Sequence, residues 1–166
     1  MLKILQHFGL RPDAVCGHSF GELSALCAAG WIDLESFLSL AITRGRLMAK
    51  AGDNNHQNNG GMLAVKASLD ELEELVKGTK ADVILANRNS PTQGVLSGSL
   101  DAMTGAEEKC REKGFRAFRL PVSAAFHSPL VQHAQKPFSR ALKNINIMPS
   151  DILVFSNTTG ASYPSD

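Results

Sequence analysis

A glycine two residues before a serine, and another two residues after it, restrict the backbone near the start of this chain. The run is Gly17-His18-Ser19-Phe20-Gly21. Residues 13–18, ending in Gly17-His18, read as a short buried strand. Gly21 to about Ala29 reads as a helix, with Leu23, Leu26, Cys27 and Gly30 at the i, i+3, i+4, i+7 spacing of one face. A G-x-S-x-G between a strand and a helix is the setting of a nucleophile elbow. So tight a turn crowds side chains two residues to either side of the serine, and glycine at both places is expected to relieve the clash. The serine oxygen then projects from the strand end. The Phe20 N–H lies at the positive end of the helix dipole and is the first expected donor of an oxyanion hole. The bland alternative is a glycine-flanked turn with an incidental serine.

The elements that follow suggest how the chain is divided. Gly30 closes the first helix, and Asp33 offers an N-cap to a second that runs to about Ala51. Residues 52–61 are polar and turn-rich and are expected to take no part in chemistry. Met62-Leu63-Ala64-Val65 is strand-like. Ser68 caps a helix carrying Leu69, Leu72, Leu75 and Val76, with Glu71 completing a capping box. Strands are expected at 82–86 and 94–97 around a turn at 87–93, then a helix at 100–113 and a weaker strand at 115–122. The order β-α-β-β-α-β is the split βαβ of a ferredoxin-like unit. Residues 129–147 read as one helix, and 152–155 as a last buried strand with no closing element after it. The chain is therefore α/β in three stretches: 1–60 with the elbow, 61–122 as the small subdomain, and 123–166 as a return to the first.

A serine nucleophile needs a base, and five histidines compete. His18 adjoins Ser19, and neighbouring side chains in a tight turn diverge, so it is expected to line the pocket floor. His7 lies in the first helical stretch, His56 in the Asn-rich loop, and His133 on a helix. His127 sits where a strand gives way to a helix, between Ala125-Phe126 and Ser128-Pro129. There it either points into a cleft as the base or merely caps the helix. Downstream of it the only carboxylates are Asp151 and Asp166, so no third triad member is evident. Arg44 falls amid Phe37, Ala41 and Met48 on the apolar side of the second helix, opposite Arg46. A cation there is costly unless paired. Either an internal acid satisfies it, or its fork emerges in a cavity to bind a carboxylate.

Composition excludes several classes. With 166 residues, 43% hydrophobic and 20% charged, the chain can bury a core and is not globally disordered. No apolar run approaches the roughly 18 residues of a membrane helix, and the N-terminus lacks a signal-peptide pattern. Cys16, Cys27 and Cys110 are scattered, with no C-x-x-C, so neither a disulfide framework nor a metal site is expected. A reduced, cytoplasmic setting follows. A net charge of +1 excludes a strong global pull on nucleic acid. The basic residues from Lys109 to Lys143 face only Glu112 as an opposing charge. That stretch is either a solvated surface or a dock for an acidic partner.

Several ordered motifs together resemble the malonyl-CoA:acyl-carrier-protein transacylase family and the acyltransferase domains of polyketide and fatty-acid synthases. Gly17 to Leu26 resembles the family's serine segment. Arg44-Gly45 stands at the family's spacing, 25 residues beyond Ser19. Asn89-Ser90-Pro91, with Val95 and Ser97-Gly98, resembles its small-subdomain hairpin. Leu120 to Ser128 resembles its histidine segment. The wording around Phe126-His127 and Gln135-Lys136-Pro137-Phe138 is most similar to acyltransferase domains of polyunsaturated-fatty-acid and related iterative synthases.

The resemblance implies an α/β-hydrolase-like large subdomain, incomplete here, with a ferredoxin-like insert. It implies Ser19 as nucleophile, His127 as base oriented by a backbone carbonyl, and Arg44 as the clamp on a malonyl carboxylate. Phe126 beside the base is of the malonyl type, since it would crowd a branched extender, although Ala124 departs from the histidine many such domains carry. Asn89 is implied at the substrate. No bound cofactor is implied: the substrates are malonyl-CoA and a phosphopantetheinylated acyl carrier protein, among neighbouring synthase domains such as a ketosynthase. The family's Gly-Gln-Gly segment, which brings the second oxyanion donor, has no counterpart, so an internal fragment is expected. The alternatives are an editing-type acyl-thioester hydrolase and a non-catalytic carrier-docking module.

Overall fold

The computed structural model describes residues 2–49, 60–79, 82–122 and 125–164. The chain packs as two compact units, Met1–Gly45 with Pro137–Asp166, and Arg46–Lys136. The Asn-rich stretch with His56, and Ser123-Ala124 of the histidine segment, lie outside the described residues.

The first unit contains α1 (Leu2–His7), β1 (Ala14–Val15), α2 (Gly21–Ala28) and most of α3 (Leu34–Ala49). Gly30 ends the α2 region at φ +76°, where only glycine is at ease. Asp33 starts α3 by accepting the Ser36 N–H at 2.7 Å. Two apolar clusters enclose α2. One joins Ala25, Ala29 and Trp31 to Ile152 and Val154, and the Trp31 indole N–H donates to the Ile152 carbonyl at 3.2 Å. The other joins Leu23, Ile32 and Leu40 to Phe20, Phe37 and Phe138.

The second unit runs β2 (Gly61–Lys66), α4 (Leu69–Lys77), β3 (Val83–Ser90), β4 (Gln93–Gly98), α5 (Leu100–Glu112) and β5 (Arg116–Arg119). Its sheet order is β3-β4-β2-β5, antiparallel throughout. Leu63, Val65 and Leu96 share one core with Leu72 and Leu75 of α4 and Met103, Ala106 and Cys110 of α5. Both helices therefore cover the same sheet face. The Ser68–Glu71 capping box is present. The β3–β4 strands extend further than expected, to a tight turn at Pro91-Thr92.

Three expectations are corrected. The single helix at 129–147 is instead a 3-10 turn, Pro129–Ala134, followed by α6 (Gln135–Lys143). Pro137 has no N–H and is tolerated only in a helix's first turn, so the α-helix begins just before it. The last strand, β6, is only Leu153–Val154, pairing parallel to β1. It alternates: Ile152 and Val154 are buried while Leu153 and Phe155 are exposed. A closing element does follow. The chain turns after Ser156, bridges Phe155 to Ser162, and returns the Tyr163 N–H to the Val154 carbonyl at 2.8 Å.

Candidate active site

Among the described residues, only Ser19 and His127 are non-glycines with positive φ, at +54° and +58°. Such backbones persist where the surroundings enforce them.

At Ser19 the enforcement is steric. The chain leaves β1, turns, and enters α2 through N–H bonds from Gly21 to the His18 carbonyl (2.9 Å) and from Glu22 to the Ser19 carbonyl (3.1 Å). A Cβ on Gly17 would lie 2.0 Å from the Gly21 carbonyl oxygen. A Cβ on Gly21 would meet nothing within 4 Å. The expectation that both glycines relieve a clash is thus half right. The strand side of the turn lies over the helix's first carbonyl, while the Gly21 Cβ direction is open. The Phe20 N–H, the expected oxyanion donor, bonds to no backbone oxygen among the described residues. His18 is exposed.

A brace that sequence reasoning missed holds this turn. The Asn157 side-chain amide donates to the Gly17 carbonyl. The Glu22 carboxylate accepts the Asn157 backbone N–H at 2.8 Å and the Tyr163 hydroxyl at 3.0 Å. Beside it, Arg44 on α3 is half-buried and donates from Nη2 to Ser19 Oγ at 3.2 Å. Its guanidinium carbon lies 5.6 Å from the centre of the Phe20 ring, where the ring face stabilises a cation. Among the described residues no carboxylate forms an ion pair with Arg44, so the internal acid that might have satisfied it is not found there. Burial pushes its pKa below the ordinary arginine value, so an anion arriving beside it is favoured.

Phe126, His127 and Asn89 belong to the second unit. His127 follows half-buried Phe126 and is itself exposed. Its neighbours are anchored: Ser97 on β4 donates to the Phe126 carbonyl at 2.9 Å, and Ser128 Oγ to the Ala125 carbonyl at 2.6 Å. Asn89 is exposed on β3, at the register shift between Arg88 and Ser90. It stands opposite the Gln93–Gly94 end of β4, about 13 Å along the strand from Ser97 at ~3.4 Å per residue. His133 binds the Leu47 carbonyl at 3.2 Å, and Asp151 pairs with Arg11.

The basic stretch is partly satisfied locally. Arg119 pairs with Glu107 at 2.7 Å, and Lys109 caps the end of α4 through the Gly78 carbonyl. Among the described residues no group of His, Cys, Asp or Glu is arranged to hold a metal, and no helix is long and apolar enough to cross a membrane.

A serine at a strand–turn–helix junction with an arginine Nη2 3.2 Å from its oxygen is the arrangement these elements build. The acyl transferase domain model matches residues 1–163, and the chain belongs to that family. It is 39% identical over its whole length to a phenolphthiocerol synthesis polyketide synthase, type I Pks15/1, of Mycobacterium marinum, and spans 8% of that protein. It is 31% identical over 99% of its length to one of the polyunsaturated fatty acid synthase subunits of a Thraustochytrium species, spanning 6% of it. The malonyl-CoA:acyl-carrier-protein transacylase of Clostridium perfringens superposes with a TM-score of 0.90 at 36% identity, over 99% of this chain and 52% of that one. The chain thus belongs with the acyltransferase domains of the transacylase and polyketide-synthase type. It spans only a small part of the synthases it resembles. Its identity to the polyketide synthase exceeds that to the polyunsaturated-fatty-acid synthase, so the finer resemblance is not singled out.

Proposed function

We propose that this chain moves a malonyl group from malonyl-CoA to the phosphopantetheine thiol of an acyl carrier protein through a Ser19 acyl-enzyme. The observation that carries this reading is Arg44, a half-buried cation without a described carboxylate partner, 3.2 Å from the nucleophile oxygen. A general esterase has no use for such a group. A substrate bearing a free carboxylate supplies the missing anion in a bidentate geometry.

His127 takes the Ser19 proton as Oγ attacks the thioester carbonyl. The oxyanion rests on the Phe20 N–H and a second donor. The C–S bond breaks, and the imidazolium returns its proton to the CoA thiol. The carrier thiol then repeats the sequence in reverse, giving its proton to His127 and taking the acyl group from Ser19. Phe126 beside the base disfavours a C2 branch, but one methyl is worth only about 1–3 kcal/mol, so leakage is expected. The antiparallel β-α-β-β-α-β unit supports the description of a ferredoxin-like subdomain set into an α/β-hydrolase-like one. The partners are a carrier protein and neighbouring synthase domains such as a ketosynthase, in the cytoplasm. Hydrolysis is not favoured, given the transacylase and synthase relatives.

The test is intact mass after brief exposure to malonyl-CoA or acetyl-CoA. A malonyl adduct is expected on the parent and not on Ser19→Ala. Arg44→Ala is expected to slow malonyl loading about 10–100-fold, the worth of a hydrogen bond to a charged group, while acetyl loading changes little. An adduct that survives Ser19→Ala, or equal losses for the two acyl groups, would overturn the reading.

A further inference from the structure

The sequence around Ser97 asks for an apolar side chain. Ser97 lies in β4 with Met62 of β2 and Ile84 of β3 as its cross-strand neighbours. It is fully buried, at 0% exposure. Strand alternation puts Leu96 toward α4 and α5, and Ser97 on the opposite sheet face. A buried hydroxyl there requires a partner, and the partner is the Phe126 carbonyl at 2.9 Å.

That carbonyl belongs to the peptide plane that ends at the His127 nitrogen. Rotation of this plane about the His127 N–Cα bond is the φ that stands at +58°. Holding the Phe126 oxygen therefore restricts the one torsion at His127 that an L-residue adopts reluctantly. Ser128 holds the preceding carbonyl, that of Ala125, so two consecutive carbonyls are fixed by side-chain hydroxyls.

We propose that Ser97 is a positioning residue for His127, setting the imidazole's direction through the Phe126 carbonyl without touching substrate. The inference rests on His127 being the base. Ser97→Ala is expected to slow malonyl loading about 10–100-fold by misdirecting the ring, with little change in KM for malonyl-CoA. Ser97→Thr, which keeps the hydroxyl, is expected to retain most of the rate. In a His127→Ala background, Ser97→Ala is expected to cost nothing further, because the two residues act as a unit. A purely structural role predicts the same fold-loss with and without His127, and that result overturns the proposal. So does a parental rate in folded Ser97→Ala. If Ser97→Ala does not fold, Ser97→Cys keeps the volume with a weaker donor, and a parental rate there is equally fatal. A parental rate in His127→Ala alone would remove the base assignment itself, and this inference with it.

Discussion

Ser19 and His127 share one rare backbone conformation, yet the molecule enforces it by opposite means. At Ser19 the device is crowding: Gly17 packs so closely on Gly21 that no side chain fits between them. At His127 the device is a pair of hydroxyls, one of them from a strand 30 residues upstream in sequence. Crowding tolerates no side chain at Gly17 and is written into residues only four apart in sequence. Hydrogen-bonded support is graded and comes from elsewhere in the unit.

The sharpest way to break this contrast is the pair of elbow glycines. Gly17→Ala places a methyl 2.0 Å from a backbone oxygen, which cannot be relieved by a rotamer change. The turn must open, displacing Ser19, and loading is expected to fall by about 10²-fold or more. Gly21→Ala projects into open space from a helix start. It is expected to leave loading near parental and to raise stability by about 0.4–1 kcal/mol, by restricting the unfolded chain. Rates and thermal melts on both variants decide the matter. Equal losses would show that the turn is not held by close approach at Gly17.

A smaller effect tests whether the elbow also uses remote support. Asn157→Ala removes the amide that reaches the Gly17 carbonyl. The loss of one neutral hydrogen bond is worth about 0.5–1.5 kcal/mol, so loading should slow about 2–10-fold. Parental kinetics would leave crowding as the elbow's sole support.

These differences also explain what the sequence disclosed. The elbow, the Asp33 cap and the Ser68–Glu71 box are local patterns, each legible in a few consecutive residues, and the β-α-β-β-α-β order was legible as a succession of such patterns from 61 to 122. The nature of the Arg44 site was only half legible. Periodicity placed it on the apolar side of α3, but only the packed fold shows that no described acid pairs with it. Asn157 and Tyr163 carried no signal, because their partners lie 140 and 141 residues away; Ser97 belonged to the hairpin motif, but its bond to a carbonyl 29 residues on was not legible. The helix expected through 147 failed for a local reason that was visible: Pro137 marks a helix start, not an interior.

A local device should also act locally, and the smallest prediction tests that. Ser68 donates its hydroxyl and backbone N–H to the Glu71 carboxylate, and these bonds hold the Glu71 pKa below its ordinary 4.5. A carboxylate whose pKa is depressed on folding stabilises the fold above its unfolded pKa, and that contribution fades as pH falls through the lowered folded value. Glu71→Gln should therefore lower the melting temperature slightly at neutral pH, and the gap to the parent should close below about pH 4.5. Loading at Ser19 should be unchanged throughout, because the box caps α4 and holds neither strained turn. A gap that widens in acid would mean that the carboxylate is not what the cap uses. A loading defect comparable to that of Ser97→Ala would mean that the whole second unit, rather than one hydroxyl within it, sets the direction of His127.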